Sequence, residues 1–256
     1  MQQEEKMGLN NEEKERYQRQ ILLKEIGNEG QEKLKNSSCL VIGAGGLGSP
    51  VCFYLAAVGI GHIGVMDGDR LEPSNLNRQI IHKTKDLGEL KAASAREKML
   101  ELNPNIKVTA YCEFLTYENA DEILKDYDFV VDATDNFKAK FLINEVCVRN
   151  NKAFVYAGIS NFKGQLMTVL PHKSPCLKCI FTDEALSEEN NAVERKATIG
   201  AIVGVIASLE SLEAIKYLLG IGELLTGKML IVDGLSMNIR KVTMPERNEH
   251  CESCGA

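Results

Sequence analysis

The chain has 256 residues, a formal net charge of −6 and an apolar fraction of 44%. The negative charge argues against a nucleic-acid binder, which would show a basic surface, and no apolar run is long enough for a transmembrane helix. The stretch from Met1 to Arg19 is polar and charged, without the apolar segment of a secretory signal. We therefore expect a cytoplasmic protein that partners with neither nucleic acid nor membrane.

Helix and strand patterns alternate along the first part of the chain. Helices are predicted at 10–36 with interruptions, 47–58, about 86–102, 118–125 and 137–149, and strands at 38–42, 63–66, 106–111, 129–131 and 153–157. This alternation predicts an α/β fold with a Rossmann-like sheet, parallel in its first half and covered by helices on both faces. Further strands at 164–170, 229–232 and 237–242 and a buried helix at 199–219 follow. We expect these strands to add antiparallel pairs in the C-terminal half, and residues 10–36 to form an N-terminal helical extension.

A glycine-rich turn joins the first predicted strand to the first crossover helix. Gly43, Gly45 and Gly48 have the spacing G-x-G-x-x-G, and Gly46 lies in the same turn. Gly43 allows the turn, Gly45 lets a phosphate approach the backbone, and Gly48 lets helix and strand pack closely. The helix N-terminus adds free N–H groups that favour an anion. The motif predicts nucleotide binding; a glycine turn without a ligand is the alternative.

Charged and polar residues follow the predicted strand ends. Asp67 has the usual spacing for an acid that binds ribose hydroxyls, and Asp69 is a second candidate. Asn75, Arg78 and Lys91 come soon afterwards in the chain. Two fixed cations suit a triphosphate and a developing negative charge better than they suit a nicotinamide ring. This set favours ATP, with a solvated polar loop as the alternative.

The eight cysteines fall into two sets. Four are scattered among apolar residues and are expected to be buried as small hydrophobic side chains. The other four form two distant C-x-x-C pairs, which in a reducing compartment indicate zinc ligands rather than disulfides. Two unrelated pairs are the alternative. The predicted zinc ligands are Cys176, Cys179, Cys251 and Cys254.

The order of motifs resembles that of the HesA/MoeB/ThiF adenylyltransferases, which are bacterial relatives of ubiquitin-activating enzymes. The motifs are R-Y-Q-R-Q, G-A-G-G-L-G, V-M-D-G-D, S-N-L-N-R-Q, D-A-T-D-N and the paired C-x-x-C. The resemblance covers about Arg16 to Cys254. It implies a single adenylation domain over 1–256, with a nucleotide-binding half at about 38–160. The half at about 161–256 would bind the carrier and end in a zinc knuckle.

The resemblance also implies a reaction. ATP would adenylate the C-terminal glycine carboxylate of a ubiquitin-like sulfur-carrier protein, with release of pyrophosphate, in thiamine or molybdenum-cofactor sulfur transfer. A homodimer is implied as well. A separate sulfur donor is expected, because no rhodanese-like domain follows Ala256. A NAD-dependent oxidoreductase and a non-catalytic scaffold that binds a carrier are the alternative functions.

Roles for individual residues come from the same resemblance. Asp67 would bind the ribose, Asn75 and Arg78 would contact the phosphates, and Lys91 would hold phosphate oxygens. Arg78 would also stabilise the charge that develops when the α-phosphate is attacked. Asp135 would hold Mg²⁺, with capping of the following helix as its alternative or additional role.

Three further expectations concern residues outside this set. Arg19 would reach the γ-phosphate from the other subunit of a dimer, and a plain surface charge is its alternative. Gln79 would support the residues that contact the phosphates. Some relatives carry a cysteine that links covalently to the carrier or to sulfur, at a place matching Val193 in the acidic stretch 182–196. No cysteine lies there; we therefore expect adenylation without a covalent step on this loop.

Overall fold

The computed structural model describes residues 8–181 and 197–255. Within these ranges the chain forms one eight-stranded sheet. The strands are β1 (Ser38–Ile42), β2 (His62–Met66), β3 (Lys107–Tyr111), β4 (Phe129–Asp132), β5 (Ala153–Ser160), β6 (Lys163–Val169), β7 (Lys228–Asp233) and β8 (Asn238–Thr243). The helices are α1 (Asn11–Arg16), α2 (Gln18–Ile21), α3 (Gly27–Lys35), α4 (Gly48–Val58), α5 (Lys91–Leu102), α6 (Tyr117–Leu124), α7 (Phe137–Arg149), α8 (Leu177–Ile180) and α9 (Gly200–Leu219).

The strand order across the sheet is β3-β2-β1-β4-β5-β6-β7-β8. Strands β1 to β5 pair in parallel. Strands β6, β7 and β8 each pair antiparallel to the strand before them. The predicted parallel half and its antiparallel extension are therefore confirmed. The order reverses between β1 and β4, and in such sheets the crevice at the carboxyl ends of those strands is the usual ligand site.

Two hydrophobic clusters cover the two faces of the sheet, because successive side chains of a strand point to opposite faces. In β1, Cys39 and Val41 pack with residues of α3, α4, α5 and α9. Leu40 and Ile42 pack with residues of α6 and α7 and with the cysteine-containing segments. This arrangement is the doubly wound architecture that the alternating pattern predicts.

The predicted start of the helix near residue 86 is wrong. Asp86 ends a separate 3-10 turn, and α5 begins at Lys91 without a side-chain cap. The expected capping box of Asp86 and Glu89 does not form, because Oδ2 of the buried Asp86 instead accepts a hydrogen bond from the Lys83 N–H at 2.8 Å and pairs with Lys98 at 3.0 Å. The carboxylate therefore closes the preceding 3-10 turn and binds a lysine of α5, and it does not cap the start of that helix.

Two features complete the description of the fold. The acidic stretch 182–196, including Val193, lies outside the described residues. Among the helices in the described ranges, none is both long enough and apolar enough to cross a membrane.

Candidate nucleotide site and cysteine cluster

The glycine turn lies between β1 and α4 and depends on the absence of side chains. Gly43 has a φ of +104°, and a Cβ there would lie 2.6 Å from the carbonyl oxygen of Ala133. A Cβ on Gly48 would lie 1.8 Å from the carbonyl oxygen of Gly43. At Gly45 the nearest atom to a Cβ would be the side-chain nitrogen of Gln79, at 3.5 Å. The turn is thus tightly packed at both ends and open in the middle, as phosphate binding requires.

Unused polar groups surround the open side of this turn. Leu47 occupies the N-cap of α4 and provides no side-chain cap. The Ser49 N–H already donates to the carbonyl oxygen of Gly45 at 3.0 Å, and Pro50 has no N–H, so among the first three residues of the helix only the Gly48 N–H is available to donate to an anion. The buried Oε1 of Gln79 has no hydrogen-bond partner within the described residues. A buried acceptor without a partner is costly, and a bound molecule or water would satisfy it. These observations fit a phosphate-bearing ligand at the turn.

Asp67 lies at the end of β2 and is joined to the glycine turn. Its Oδ2 accepts a hydrogen bond from the Ala44 N–H at 2.8 Å, and its Oδ1 accepts one from the Asp69 N–H at 2.9 Å. Burial raises the pKa of Asp67, and the two backbone hydrogen bonds and the Lys91 ammonium oppose that rise. Each carboxylate oxygen can accept a further hydrogen bond, so both roles, bracing the turn and binding a hydroxyl, are compatible.

The predicted cation Lys91 lies beside these acids, at the start of α5. Its Nζ is 2.9 Å from Oδ2 of Asp69, and its side chain is 8% exposed. Asp69, the second sequence candidate for ribose binding, therefore holds the lysine. The structure brings Lys91, Asp67 and the glycine turn together.

Arg78 and Asn75 lie in the segment that follows β2, and the stem of Arg78 lies against the glycine turn. The Oδ1 of Asn75 accepts a hydrogen bond from the Glu72 N–H at 3.0 Å, which closes a short 3-10 turn. The Nη1 of Arg78 donates to the carbonyl oxygen of Ser74 at 3.1 Å. The aliphatic stem of Arg78 lies 3.6 Å from where a Cβ of Gly46 would be. The stem of Arg78 thus lies beside the glycine turn, while its guanidinium is held by Ser74; the expected contact of Arg78 with phosphate stays a prediction.

A buried ion pair supports the turn after β4, and sequence reasoning missed it. Asp132 is fully buried and lies 3.3 Å from the Nζ of Lys140. Lys140 also donates to the carbonyl oxygens of Thr134 at 2.8 Å and Ala157 at 2.6 Å. One buried lysine therefore joins this turn to the middle of β5, at Ala157. A lone lysine on a predicted helix carries no sequence signal for such a role.

Asp135, the predicted Mg²⁺ ligand, is exposed at the start of α7. The helix is capped by Asn136, whose Oδ1 accepts a hydrogen bond from the Ala139 N–H at 2.9 Å. The alternative role of Asp135 as the N-cap is therefore wrong, because the next residue performs it. The carboxylate lies at the same sheet edge as the glycine turn, since the Ala133 N–H donates to the carbonyl oxygen of Ile42 at 2.9 Å.

Arg19 does not lie at the glycine turn of its own chain. The neighbouring Gln20 donates to the carbonyl oxygen of Val58 at 3.3 Å, at the C-terminal end of α4. The glycine turn is at the other end of that helix, which has 11 residues. At 1.5 Å per residue the two ends are about 16 Å apart. The expected reach of Arg19 into the site of a second subunit stays a prediction.

The sulfur atoms of the two C-x-x-C pairs converge at one place. The four Sγ atoms lie within 4.8 Å of one another. The Sγ of Cys176 is 3.9 Å from that of Cys179 and 3.7 Å from that of Cys251, and Cys179 is 3.4 Å from Cys254. A tetrahedron with zinc–sulfur bonds of about 2.3 Å has edges of about 3.8 Å. These residues could therefore hold a tetrahedral metal ion.

Known proteins resemble this chain over most of its length. The chain is 43% identical over 249 residues to a protein named sulfur carrier protein adenylyltransferase in Thermus thermophilus, covering 95% of this chain and 92% of that protein. It is 44% identical over 247 residues to the adenylyltransferase and sulfurtransferase MOCS3 of Culex quinquefasciatus, covering 96% of this chain. The match covers 56% of that MOCS3 protein, so the chain spans about half of its length.

A solved structure shows the same architecture. The crystal structure of E. coli MccB with ATP has a TM-score of 0.82 to this chain at 27% identity, covering 96% of this chain and 75% of that chain. In sequence, the ThiF family matches residues 17–253, a range that includes the glycine turn and the acidic residues after β2 and β4. The resemblance predicted from the motifs is confirmed, and the chain belongs to the ThiF family.

Proposed function

We propose that this chain is an ATP-dependent adenylyltransferase that activates the C-terminal glycine carboxylate of a ubiquitin-like sulfur carrier. The observation that carries the proposal is the position of Arg78 against Gly46, with Lys91 near the same turn. Two cations at a phosphate-binding turn suit a triphosphate and the charge that develops on it. The Thermus relative named sulfur carrier protein adenylyltransferase supports the assignment, because the match covers 92% of its length.

In the proposed reaction, an oxygen of the carrier's terminal carboxylate attacks the α-phosphorus of ATP. The bond to pyrophosphate breaks and an acyl-adenylate remains on the carrier. The protein needs only to position the reactants and stabilise charge. Arg78 stabilises the α-phosphate oxygens, Asn75 and Lys91 hold the other phosphate oxygens, and Asp67 binds the ribose.

The exposed carboxylate of Asp135 would hold Mg²⁺. Carboxylate oxygens are ligands that Mg²⁺ prefers, and the contact of Asp135 with the side chain of Asn136 is long, at 3.4 Å, so it leaves the carboxylate available. The ion would neutralise charge on the phosphate oxygens when bound.

The cysteine cluster would hold a structural zinc ion. Four thiolates leave no open position for a substrate, so the ion would carry no step of the reaction. It would join the C-terminal Cys251 and Cys254 to the segment that follows β6, where Cys176 and Cys179 lie.

A second copy of the chain would cover an apolar groove between α4 and α9. Tyr54, Val205 and Leu212 are exposed along this groove, and Gln20 lines the end near α2. The groove therefore adjoins the helix that carries Arg19, which lies near the end of α4 opposite to its own glycine turn. A homodimer would place that arginine near the turn of the partner. We expect Val205→Glu to convert a dimer into a monomer in analytical ultracentrifugation, and a wild-type monomer would contradict the proposal.

The carrier would dock on the antiparallel half of the sheet. Lys163, at the start of β6, pairs with Asp233, at the end of β7, so the β7–β8 hairpin tip lies at the same sheet edge as the end of β5. Phe162, Leu235 and Met237 are exposed at this edge. Because the glycine turn lies at the carboxyl ends of the parallel strands, a carrier bound here could extend its C-terminal tail along the edge to the nucleotide.

Incubation with ATP, Mg²⁺ and each candidate carrier tests the proposal. We expect a carrier–AMP adduct by mass spectrometry and release of pyrophosphate. Arg78→Ala should lower the rate about 100-fold, the usual effect of removing one charge-stabilising donor. Lys125→Ala is the matched control, because this exposed lysine pairs only with the exposed Glu122 among the described residues. A change in the absorbance of an added nicotinamide cofactor would favour an oxidoreductase. Binding of the carrier without consumption of ATP would favour a non-catalytic scaffold.

The pathway and the sulfur donor stay predictions. The lack of a cysteine between Cys179 and Cys251 favours adenylation alone and the molybdenum-cofactor type of carrier over the thiamine type. Sulfur would then come from a separate protein in the cytoplasm. A covalent enzyme–carrier species that depends on a cysteine of this chain would contradict this part of the proposal.

A further inference from the structure

His82 lies directly behind the glycine turn and is 6% exposed. Its Nε2 is 3.0 Å from the carbonyl oxygen of Ala44, and its Nδ1 is 2.9 Å from Oγ of Ser94. A carbonyl oxygen can only accept, so Nε2 carries the proton and donates to Ala44. The Nδ1 then accepts a hydrogen bond from the Ser94 hydroxyl. Both ring nitrogens are satisfied by the neutral form.

The charges that face the ring are compatible with this neutral form. Burial lowers the pKa of His82, and the Lys91 ammonium lowers it too. The hydrogen bond to Ala44 and the carboxylates of Asp86 and Asp67 act in the opposite direction. The net shift is downward, so the ring stays neutral at neutral pH.

Both backbone polar groups of Ala44 are hydrogen-bonded to buried side chains. The Ala44 N–H donates to Asp67, and the Ala44 carbonyl oxygen accepts from His82. In a planar trans peptide the C=O and the following N–H point in opposite directions, so the Gly45 N–H points away from His82. No hydrogen bond within the described residues uses that N–H. The Gly45 N–H is therefore on the side of the peptide opposite to His82, and Gly45 has no side chain that would cover this donor.

A buried polar chain keeps the histidine ring in place. The Oγ of Ser94 is 3.4 Å from Oδ2 of Asp86, farther than its 2.9 Å contact with His82, so the hydroxyl proton favours the ring. Asp86 in turn pairs with Lys98 at 3.0 Å. The side chains of Asp86 and Lys98 are 2% and 3% exposed. Rotation of the ring would break this chain in a site that water does not reach.

We propose that His82 is a positioning residue that orients the Ala44–Gly45 peptide so that the Gly45 N–H donates to a phosphate oxygen of the nucleotide. The inference rests on the proposed function for the identity of the nucleotide. The glycine motif makes the Gly45 N–H accessible, and the buried imidazole of His82 sets the direction in which this N–H points.

The affinity for ATP, measured by calorimetry on the full chain without a carrier, tests this role. His82→Leu removes the donor to Ala44, and we expect ATP to bind about tenfold more weakly. His82→Gln keeps an N–H donor near the position of Nε2, and its affinity should lie within about twofold of wild type. His62→Leu is the matched control. His62 lies at the opposite edge of the sheet, at the start of β2, and contacts Thr109 at 2.9 Å; ATP affinity should not change there.

Several outcomes would overturn the inference. Equal ATP affinities of wild type and His82→Leu would do so, and so would a His82→Gln variant as weak as His82→Leu, because packing alone would then explain the loss. Should His82→Leu fail to fold, Ser94→Ala removes the hydroxyl that holds the ring and should weaken ATP binding about threefold; unchanged affinity would refute the role. Wild type that binds ATP but forms no carrier–AMP refutes the proposed function alone, and wild type that binds no ATP refutes both.

Discussion

Glu210, in the middle of α9, makes the stability of this protein depend on pH. Its side chain is fully buried, and neither carboxylate oxygen has a hydrogen-bond partner within the described residues. Burial raises the pKa of Glu210 well above its ordinary value of 4.5. The Lys140 ammonium opposes this rise and the Asp132 carboxylate adds to it. Lys140 is already bound by Asp132 and by two carbonyl oxygens, so it stabilises the ionised form of Glu210 only weakly.

The sign of the effect follows from proton binding. Above pH 4.5 the unfolded chain releases the proton of Glu210, while the folded chain keeps it up to the raised pKa. Folding stability therefore falls as pH rises through this window, by about 1.4 kcal/mol for each pH unit. Glu210→Gln has nearly the same shape but cannot ionise. We expect its stability relative to wild type to increase by about 1.4 kcal/mol per pH unit within the window.

Urea denaturation followed by circular dichroism at about pH 5, 6 and 7 measures this difference. Glu25→Gln is the control for loss of one acid, because Glu25 is exposed. A difference between wild type and Glu210→Gln that does not change with pH would refute the reasoning. It would mean that a bound water or a structural rearrangement stabilises the ionised carboxylate.

Three further predictions use other parts of the structure. Gly45→Ala should fold normally but lose ATP binding in calorimetry, because its Cβ would meet only the Gln79 side chain at 3.5 Å yet would fill the space through which a phosphate approaches. Gly8→Ala, whose Cβ would lie 3.7 Å from the Glu32 carboxylate, should leave both unchanged; retained ATP binding in Gly45→Ala would contradict the site. Lys140→Met leaves a buried carboxylate unpaired and should lower the free energy of unfolding by about 3–5 kcal/mol in urea, and a loss under about 1 kcal/mol would show that water reaches it. Cys176→Ser should lower the melting temperature and the zinc content measured by mass spectrometry; unchanged values would exclude a structural zinc site.

Local sequence predicted the elements of the fold well. The apolar strands, the glycine turn and the Phe137–Arg149 helix occur where periodicity and turn chemistry place them. These features depend on residues close together in the chain, so local preference and periodicity are enough to locate them. The acids after β2 and β4 could also be placed from sequence, because parallel strands have their carboxyl ends at the same edge of the sheet.

The supporting contacts could not be predicted in this way. Asp86 pairs with Lys98 rather than capping α5, and Lys140 joins Asp132 to Ala157 of β5. His82 meets the carbonyl oxygen of Ala44, a residue 38 positions earlier. Each of these side chains has ordinary neighbours in sequence, so no pattern distinguishes it from a surface residue.

The sequence by itself determined the doubly wound sheet, the glycine turn, the two cations that follow it in the chain and the two cysteine pairs, because each has a characteristic pattern or spacing. The tertiary structure decided which way the polar groups of that turn point. A buried histidine, an aspartate and the rigid peptide plane between Ala44 and Gly45 together set this direction. The physical reason is burial: a polar group removed from water must find a partner, and packing alone determines which distant residue supplies it.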